Sequence, residues 1–403
     1  MIFRASNTSS FAQTLLPHSH RVKTLATVLS HPEDIVLLGT VSLPEIRTVL
    51  FSCNTLQYPF PFAQFSTVAV AHLTNADIGF TTVNLANLTW LVIDNSIHYL
   101  PSLVDVISVL RNAPALVQVG LMGCAGFTRE DLTALRSTQV IQMQKLRTLY
   151  ISSEAIYIRE FFNVVSVSAL AQIALHVRMP LAWQRVGGTN ICSISLPTAE
   201  KFHHVGCLLS ANIIAVELRG DKPGLSCVDK TTGGALQWTY TATDTYTAAS
   251  PYFWQDLIED FAEAIGHLSM DRIANFSLSL RDDPFAEEEL HFVPLFRALP
   301  NMHMLLVQAQ RAEGVLGALT YLQDTACELG VAVCPRLSVL RLQDLVVDDS
   351  VVEKLLDCFL MRKDTCDEGL DYLLLAIGSV RLDTKHLARL EEEEFRTIVC
   401  EAE

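Results

Sequence analysis

A short hydrophobic pattern recurs along this chain and constrains its fold more than any other feature of the sequence. The pattern is Φ-x-x-Φ-x-Φ, where Φ is an aliphatic residue or Phe and x is any residue. Its last two Φ positions are two residues apart, so their side chains lie on the same side of a short strand. The first Φ lies one turn earlier and marks the start of that strand. Each copy therefore predicts a strand with one buried face.

The copies return at similar spacing, with most intervals between 19 and 35 residues. Nine copies are clear: Ile46-Val49-Phe51, Leu116-Val119-Leu121, Leu146-Leu149-Ile151, Leu170-Ile173-Leu175, Ile213-Val216-Leu218, Ile273-Phe276-Leu278, Met302-Leu305-Val307, Leu337-Leu340-Leu342 and Leu370-Leu373-Leu375. Three are weaker: Val22-Leu25-Thr27, Phe65-Val68-Val70 and Leu88-Leu91-Ile93. One unit cannot bury its apolar face alone, whereas stacked units can, because each strand pairs with the next in a parallel sheet.

Segments between the copies carry apolar residues at helical spacing. The predicted helices are 100–111, 128–136, 251–268 and 348–361. The uncharged run 161–177 is too short and too polar to span a membrane, and we interpret it as a buried helix end followed by a strand.

This alternation predicts an α/β fold of the leucine-rich-repeat-like solenoid type, with parallel strands on the concave face and helices on the convex face. The alternative is an ordinary globular α/β protein. Any such protein alternates strands and helices, and the pattern can arise by chance in a chain that is 50% hydrophobic.

Two long intervals interrupt the period and predict insertions near 177–212 and 222–272. In the second, Thr231-Thr232-Gly233-Gly234 lies between β-prone runs and predicts a hairpin. Aromatic residues, among them Trp238 and Tyr240, cluster beside it. An insertion lies on the surface of a solenoid, which makes these rings candidates for binding a partner. Alternatively, they pack on the neighbouring repeats.

Charge is distributed unevenly along the chain. Residues 1–250 contain 15 acidic and 16 basic residues, whereas residues 251–403 contain 29 acidic and 13 basic residues. A basic stripe suited to nucleic acid is absent from the sequence, and the acidic excess disfavours an anionic membrane surface. The acidic part is explained by a solvated face or by a dock for a basic partner.

The sequence motifs of common catalytic and ligand sites are missing. We find no GxxxxGK[ST], GxGxxG or GxSxG, and the ten cysteines form no CxxC pair. We therefore expect no catalytic residue, no cofactor and no metal. Reduced, mostly buried cysteines and the lack of a secretory signal predict a cytoplasmic or nuclear location.

Several segments resemble the leucine-rich region of fungal, especially basidiomycete, F-box proteins. The segment LLPHSHRVKTLATVLSH (15–31) followed by SLPEIRTVLFSC (42–53) is similar to that family's "HS.RW..L" and "LP.L..L.L" segments, with Val22 in place of the usual Trp. LPNMHMLLVQ (299–308) and CPRLSVLRLQDLVVDDSVVEKLLDCFLMRK (334–363) resemble its later repeats. The resemblance covers roughly residues 15–380 and implies the substrate-recognition part of a ubiquitin ligase.

An F-box normally precedes such repeats, and the first residues here lead directly into the repeat region. We therefore expect binding to a Skp-type adaptor only if an F-box is missing from this sequence. The alternative is a degenerate paralogue that does not bind the adaptor.

These observations predict three parts: a poorly ordered segment at 1–14, the repeat region at 15–380 and an acidic helix or tail at 381–403. The predicted function is a non-enzymatic scaffold that binds an unidentified protein. The alternative is a globular α/β enzyme of unknown reaction. Candidate contact residues are the x positions of the repeats and the aromatic insertion: Thr48, Leu50, Gln118, Gly120, Thr148, Tyr150, Glu217, Arg219, Trp238, Tyr240, Arg341 and Gln343.

Overall fold

The computed structural model shows a mixed α/β protein that divides into two compact units. The first unit comprises Met1–Arg178 and Ser195–Gly206, and the second comprises Met179–Ile194 and Cys207–Glu403. The structure describes residues 2–6, 15–29, 36, 38–53, 60–76, 78, 83–95, 102–123, 135, 139–178, 192, 195–197, 199–218, 223–241, 251–268, 272–280, 292–320, 322–323, 331–346, 348–365, 372–377, 385, 388–389 and 396–401.

The first unit contains a fully parallel sheet of eight strands. In spatial order these are β1 (Ile2–Ser6), β2 (Thr24–Leu29), β3 (Thr48–Cys53), β4 (Val70–Thr74), β5 (Trp90–Asp94), β6 (Gln118–Met122), β8 (Thr148–Glu154) and β10 (Gln172–Arg178). Two short strands, β7 (Ile141–Met143) and β9 (Val165–Val167), form a separate parallel pair. Spatial order in the large sheet follows chain order, as the predicted stacking requires.

Helical segments connect several of these strands. They are α1 (Leu103–Asn112), α2 (Ala155–Val164) and the 3-10 helices Leu16–Arg21, Phe62–Phe65 and Ala199–His204. Helix α1 begins after Ser102, whose hydroxyl accepts a hydrogen bond from the Val104 N–H at 3.1 Å and so caps a free backbone donor. The short helix α3 (Gly206–Ser210) begins at the last residue of this unit.

A repeated backbone contact joins consecutive copies. The carbonyl just before a strand accepts two N–H groups from the next copy, as when Lys23 O bonds Arg47 N at 2.8 Å and Thr48 N at 3.1 Å. Thr89 O does the same with the amides of Val117 and Gln118. In the second unit, His303 O bonds the amides of Ser338 and Val339, both at 3.0 Å. The two units thus share one repeat geometry.

The Φ positions form the core in most copies of the first unit. Ile46, Val49 and Phe51 are buried together, as are the corresponding residues of the copies beginning at Leu88, Leu116 and Leu146. The copy Phe65-Val68-Val70 was placed in the wrong register, because the buried strand positions are Ala71 and Leu73 and Val70 lies on the other face. Leu170 is 44% exposed, and Ala171 is buried instead.

The second unit contains a sheet with antiparallel and parallel parts. In spatial order its strands are β13 (Ala235–Thr241), β12 (Gly224–Val228), β11 (Ile213–Leu218), β14 (Asn275–Leu280), β15 (Met304–Gln308), β18 (Val339–Gln343), β19 (Tyr372–Ile377) and β20 (Arg396–Glu401). The first two pairings are antiparallel, and those from β11 to β20 are parallel. A separate antiparallel pair joins β16 (Leu322–Gln323) and β17 (Val331–Ala332).

The helices of this unit are α4 (Pro251–Gly266), α5 (Val293–Arg297), α6 (Glu313–Leu319) and α7 (Asp349–Thr365). The helices predicted at 251–268 and 348–361 are therefore present within two to four residues of their expected limits, as is the helix predicted at 100–111. Most of the helix predicted at 128–136 lies outside the described residues.

The predicted hairpin is β12–β13, with its turn at Thr231–Gly234. Asp229 organises that turn: its carboxylate accepts hydrogen bonds from the Thr231 N–H and the hydroxyls of Thr231 and Thr232 at 2.6–2.8 Å. These bonds lower the pKa of Asp229 well below its usual range. Gly233 has a φ of +75°, which favours glycine at this position.

Strands occur near both ends of the chain. Residues 1–14 were expected to be poorly ordered; β1 pairs with β2, and residues 7–14 lie outside the described part of the chain. Residues 381–403 were expected to form an acidic helix or tail; residues 385 and 388–389 are helical, and β20 pairs with β19. Neither strand was among the predicted copies of the repeat.

Candidate functional site

One face of the first sheet is not covered by the core. Strand positions alternate between the two faces, and we call the outward-facing positions of β2 to β10 the first open face. The strand register arranges most of them in three rows; a further outward pair, Glu154 and Arg178, lies at the ends of β8 and β10, and Arg178 donates to Ser152 Oγ at 3.4 Å. The middle row contains Ala26, Leu50, His72, Val92, Gly120, Tyr150 and Ala174. We take this face as the candidate site because it is both regular and accessible.

The middle row is apolar at alternate strands. Leu50 is 39% exposed, Tyr150 is 36% exposed, and Val92 between them is half-buried. Gly120 provides no side chain between Val92 and Tyr150. A Cβ atom there would lie 3.3 Å from Val92 Cγ2, so the Val92 side chain packs closely against the buried Gly120.

The two flanking rows are mostly neutral. One contains Thr24, Thr48, Val70, Trp90, Gln118, Thr148 and Gln172, and the other contains Val28, Ser52, Thr74, Asp94, Met122, Ser152 and His176. Across the three rows of β2 to β10, Asp94 is the only Asp, Glu, Lys or Arg. His72 Nε2 and Trp90 Nε1 are covered by neighbouring atoms and have no hydrogen-bond partner among the described residues.

Cations lie beside this face, at the ends where the strands begin. We call Arg21, Lys23, Arg47, Lys145 and Arg147 the amino edge; all five are exposed, and Glu45 is the one exposed carboxylate at the equivalent turn positions of β2 to β10. The first site therefore combines a largely apolar middle row with mixed flanking rows and is bordered by positive charge.

The corresponding open face of the second unit combines apolar residues, such as Ile213, Met304 and Leu306, with a hydrogen-bonded polar series. Ser279 Oγ donates to Gln308 Oε1 at 3.3 Å, and Gln308 Nε2 donates to Asp344 Oδ2 at 2.7 Å. With the Gln343 amide turned so that its oxygen faces Arg341, Arg341 donates to that oxygen from Nη2 at 2.9 Å and from Nε at 3.2 Å. Glu217 is exposed on the same face. Side chains on this face thus bind one another across three neighbouring strands.

The structure does not bring all the predicted contact residues together. The first open face contains Thr48, Leu50, Gln118, Gly120, Thr148 and Tyr150. The second contains Glu217, Arg341 and Gln343. Arg219 lies outside the described residues. His72, Trp90, Ser279 and Gln308 were not predicted, although each occupies an outward strand position that a complete register would have identified; Asp344, also not predicted, lies in the turn after β18.

Trp238 and Tyr240 correct the interpretation of the aromatic insertion. Both are fully buried, and their rings stack at 5.6 Å, with Phe261 of α4 edge-on to Trp238 at 5.5 Å. They lie on the core face of β13, which belongs to the sheet rather than to a surface insertion. The alternative interpretation, that these rings pack within the fold, describes their position, and they leave the candidate surface.

Three cysteine thiols and one carboxylate of the second unit are enclosed within the fold. Cys192, Cys207 and Cys227 are buried, and burial raises the pKa of each thiol, to about 12 for Cys207. Such thiols remain protonated near neutral pH and are weak nucleophiles. The buried Asp260 carboxylate accepts a hydrogen bond from the Cys192 N–H, which gives it a structural partner.

A buried cation stabilises the turn before β18. Arg362 is fully buried and donates to the carbonyls of Val333 at 2.9 Å and Cys334 at 2.5 Å. Cys334 has a φ of +48°, an uncommon conformation for a residue other than glycine. Because the guanidinium ties both carbonyls to α7, we assign it a structural role.

Within the described parts of the chain, no three His, Cys, Asp or Glu side chains group as metal ligands. Over the same residues, no helix combines the length and apolar character that crossing a membrane requires. A scan of protein-family models finds none that matches the chain, and a search of curated proteins finds no match either.

Proposed function

We propose that this chain is a leucine-rich-repeat-like solenoid that acts as a non-enzymatic scaffold for protein–protein interaction. The observation that carries the proposal is the first open face. It presents Leu50 and Tyr150 as exposed apolar side chains in one row, with the half-buried Val92 between them. Contiguous exposed apolar surface is typical of protein interaction sites, because isolated soluble proteins usually limit it.

The repeat geometry also supports the solenoid. Parallel strands in chain order and the shared carbonyl contact give each copy the same relation to the next. The resemblance to fungal F-box proteins implies that such a scaffold recognises the substrate of a ubiquitin ligase. In that proposal an F-box module would bind the Skp-type adaptor, and the repeats described here would bind the substrate.

Site-specific photo-crosslinking in cells tests the scaffold function. A photoreactive phenylalanine analogue replaces Tyr150 on the first open face, and a matched control replaces Leu360, which is 41% exposed on α7. We expect discrete crosslinked proteins at position 150 that disappear when Leu50→Glu is added. Identical crosslinking patterns at the two positions, unaffected by Leu50→Glu, would contradict the proposal.

The adaptor role has its own test. In a pull-down with purified Skp-type adaptor, we expect no binding by the chain as given and restored binding once an F-box is fused before Met1. The described residues before β3 form strands β1 and β2 and one 3-10 helix, which differ from a helical F-box. Strong binding by the unfused chain would place the adaptor surface within the repeats.

A further inference from the structure

We infer that the first open face binds an amphipathic helix of a partner protein, with acidic side chains along the flank of that helix that faces the amino edge. This inference rests on the proposed scaffold function and specifies the chemistry of the partner. It is drawn from three properties of the face: the spacing of its apolar residues, the absence of a side chain at Gly120 and the sign of the charge beside it.

The spacing of the middle row fits a helix. Leu50, Val92 and Tyr150 lie on alternate strands, with His72 and Gly120 between them. Neighbouring strands are about 4.8 Å apart, so consecutive apolar residues of the row are separated by about 9.6 Å. Residues i and i+7 of an α-helix are about 10.5 Å apart along its axis. A helix lying along the row would therefore bring positions i, i+7 and i+14 to Leu50, Val92 and Tyr150.

Gly120 allows a helix to approach the row closely. It has no side chain, so nothing projects from the strand between Val92 and Tyr150, although Val92 fills the space beside it. In the register just described, residues i+10 and i+11 of the helix would lie over this flat part of the row. An extended strand alternates its side chains every two residues, at about 6.7 Å on one face, and fits the 9.6 Å interval less well.

Charge sets the orientation and the composition of the partner. Arg47 and Arg147 lie at the amino edge beside β3 and β8, four strand intervals apart, or about 19 Å. Lys23 and Lys145 lie in the same two groups, and Glu45 is the one carboxylate among them. A helix along the middle row passes both groups, and acidic residues on that flank would be attracted to them. A nucleic acid would share this attraction, but its phosphates would gain nothing from the apolar row.

Peptide selection on the whole chain tests the inference. A displayed library of random 21-residue peptides is selected on the wild-type chain and, in parallel, on the Leu50→Glu/Tyr150→Glu variant. We expect the wild-type pool to be enriched at least tenfold in peptides with apolar residues at seven-residue spacing and an excess of Asp and Glu. Synthetic copies should gain helical circular dichroism on binding.

Charge reversal and a matched control complete the design. Arg47→Glu/Arg147→Glu should weaken binding of the selected peptides at least tenfold. Arg341→Glu/Gln343→Glu, at outward positions in the second unit, should leave the affinity within twofold. All of these substitutions are at exposed or half-buried positions, and circular dichroism of each variant verifies that the fold is retained.

The outcomes separate this inference from the scaffold proposal. Two outcomes would overturn the inference and leave the scaffold function standing. In the first, the peptides require Leu50 and Tyr150 for binding but are basic. In the second, they bind without becoming helical. Failure to select any peptide sensitive to Leu50→Glu/Tyr150→Glu would overturn both. In a further outcome, a dT20 oligonucleotide binds more tightly than any selected peptide and loses that binding in the Arg47→Glu/Arg147→Glu variant. This result would identify a nucleic-acid surface and would overturn both proposals.

Discussion

The two units have the same repeat geometry but differ in net charge and in how their outward side chains bond with one another. In the first, outward strand positions carry Leu50, Val92 and Tyr150, and the unit has 11 acidic and 12 basic residues. In the second, outward positions carry Ser279, Gln308 and Arg341, and the unit has 33 acidic and 17 basic residues. The net charges are therefore +1 and −16. One backbone pattern supports both surfaces, because the Φ positions determine the fold and leave the x positions free to vary.

Hydrogen bonding sharpens this contrast. Polar side chains of the second face are satisfied by one another, as in the Ser279–Gln308–Asp344 series. Leu50 and Tyr150 of the first face remain exposed, so covering them would remove apolar surface from water. A partner therefore gains more from the first face, which is why we place the interaction site there.

The largest expected effect tests the opposite roles of neighbouring strand positions. Leu340 is fully buried on β18, and the adjacent Arg341 is exposed. Leu340→Ala should lower the free energy of unfolding by about 2–5 kcal/mol, as for other buried leucines. Arg341→Ala should change it by no more than about 0.5 kcal/mol. Urea denaturation measures both values, and equal effects would show that the register of β18 is wrong.

Two glycines, one from each unit, provide the next comparison. A Cβ at Gly206 would lie 2.8 Å from the backbone N of Ala169, whereas one at Gly317 in α6 meets nothing within 4 Å. Gly206→Ala should therefore destabilise by about 1–3 kcal/mol. Gly317→Ala should stabilise by about 0.5–1 kcal/mol, because alanine favours a helix interior. Thermal unfolding monitored by circular dichroism should show shifts of opposite sign; shifts of the same sign would contradict the packing at one glycine.

A smaller effect should depend on pH and arise in the first unit. His204 is buried with its Nδ1 2.8 Å from Phe162 O, and burial lowers its pKa, with His203 and Lys201 acting in the same direction. Because the folded-state pKa of His204 is lowered, the neutral side chain contributes its full share of the free energy of unfolding above the unfolded-state pKa of about 6.5. That contribution is lost as pH falls through the folded-state pKa. The free energy of unfolding should therefore decrease between pH 7.5 and 5.

His204→Asn provides the matched control for this pH dependence, because it offers a hydrogen-bond donor but does not titrate. Its loss of stability over the same interval should be smaller than that of the wild type. Equal losses in the two proteins would assign the pH dependence to other groups.

The smallest expected effect concerns the charge difference between the units. Like charges in the second unit repel one another, and salt screens exposed charges beyond about 8–10 Å at 0.1–0.15 M. Raising NaCl from 20 to 150 mM should therefore slow hydrogen exchange slightly in β14 and β15 while leaving β4 and β5 unchanged. Equal protection changes in both sets of strands would show that the net charge of −16 has no local effect on stability.

The sequence predicted the repeats well because the Φ pattern is local. Ile46, Val49 and Phe51 are buried as expected, and Thr231–Gly234 forms the predicted turn. Prediction failed where the answer depended on packing between separate segments. The core position of Trp238 follows from the pairing of the hairpin with β11 and from the contact with Phe261 of α4, which the pattern around the ring does not specify.

Prediction of the candidate site was less complete for a related reason. Thr48 and Tyr150 were identified one copy at a time, from their x positions. Which x positions become neighbours depends on the order and register of the strands. The row that joins Leu50, His72 and Val92, and the side-chain series on the second face, therefore emerged only from the structure.

Hydroxyl-radical footprinting of the intact chain tests the central claim, an open apolar face on the first unit, most directly. Tyr150 is 36% exposed and Tyr240 is fully buried, and Leu50 and Leu149 form a second such pair at 39% and 0%. Oxidation rates of these side chains, resolved by mass spectrometry, compare the same residue types in one sample. We predict that Tyr150 and Leu50 are oxidised at least ten times faster than Tyr240 and Leu149. Similar rates within each pair would contradict the claim that this face is open.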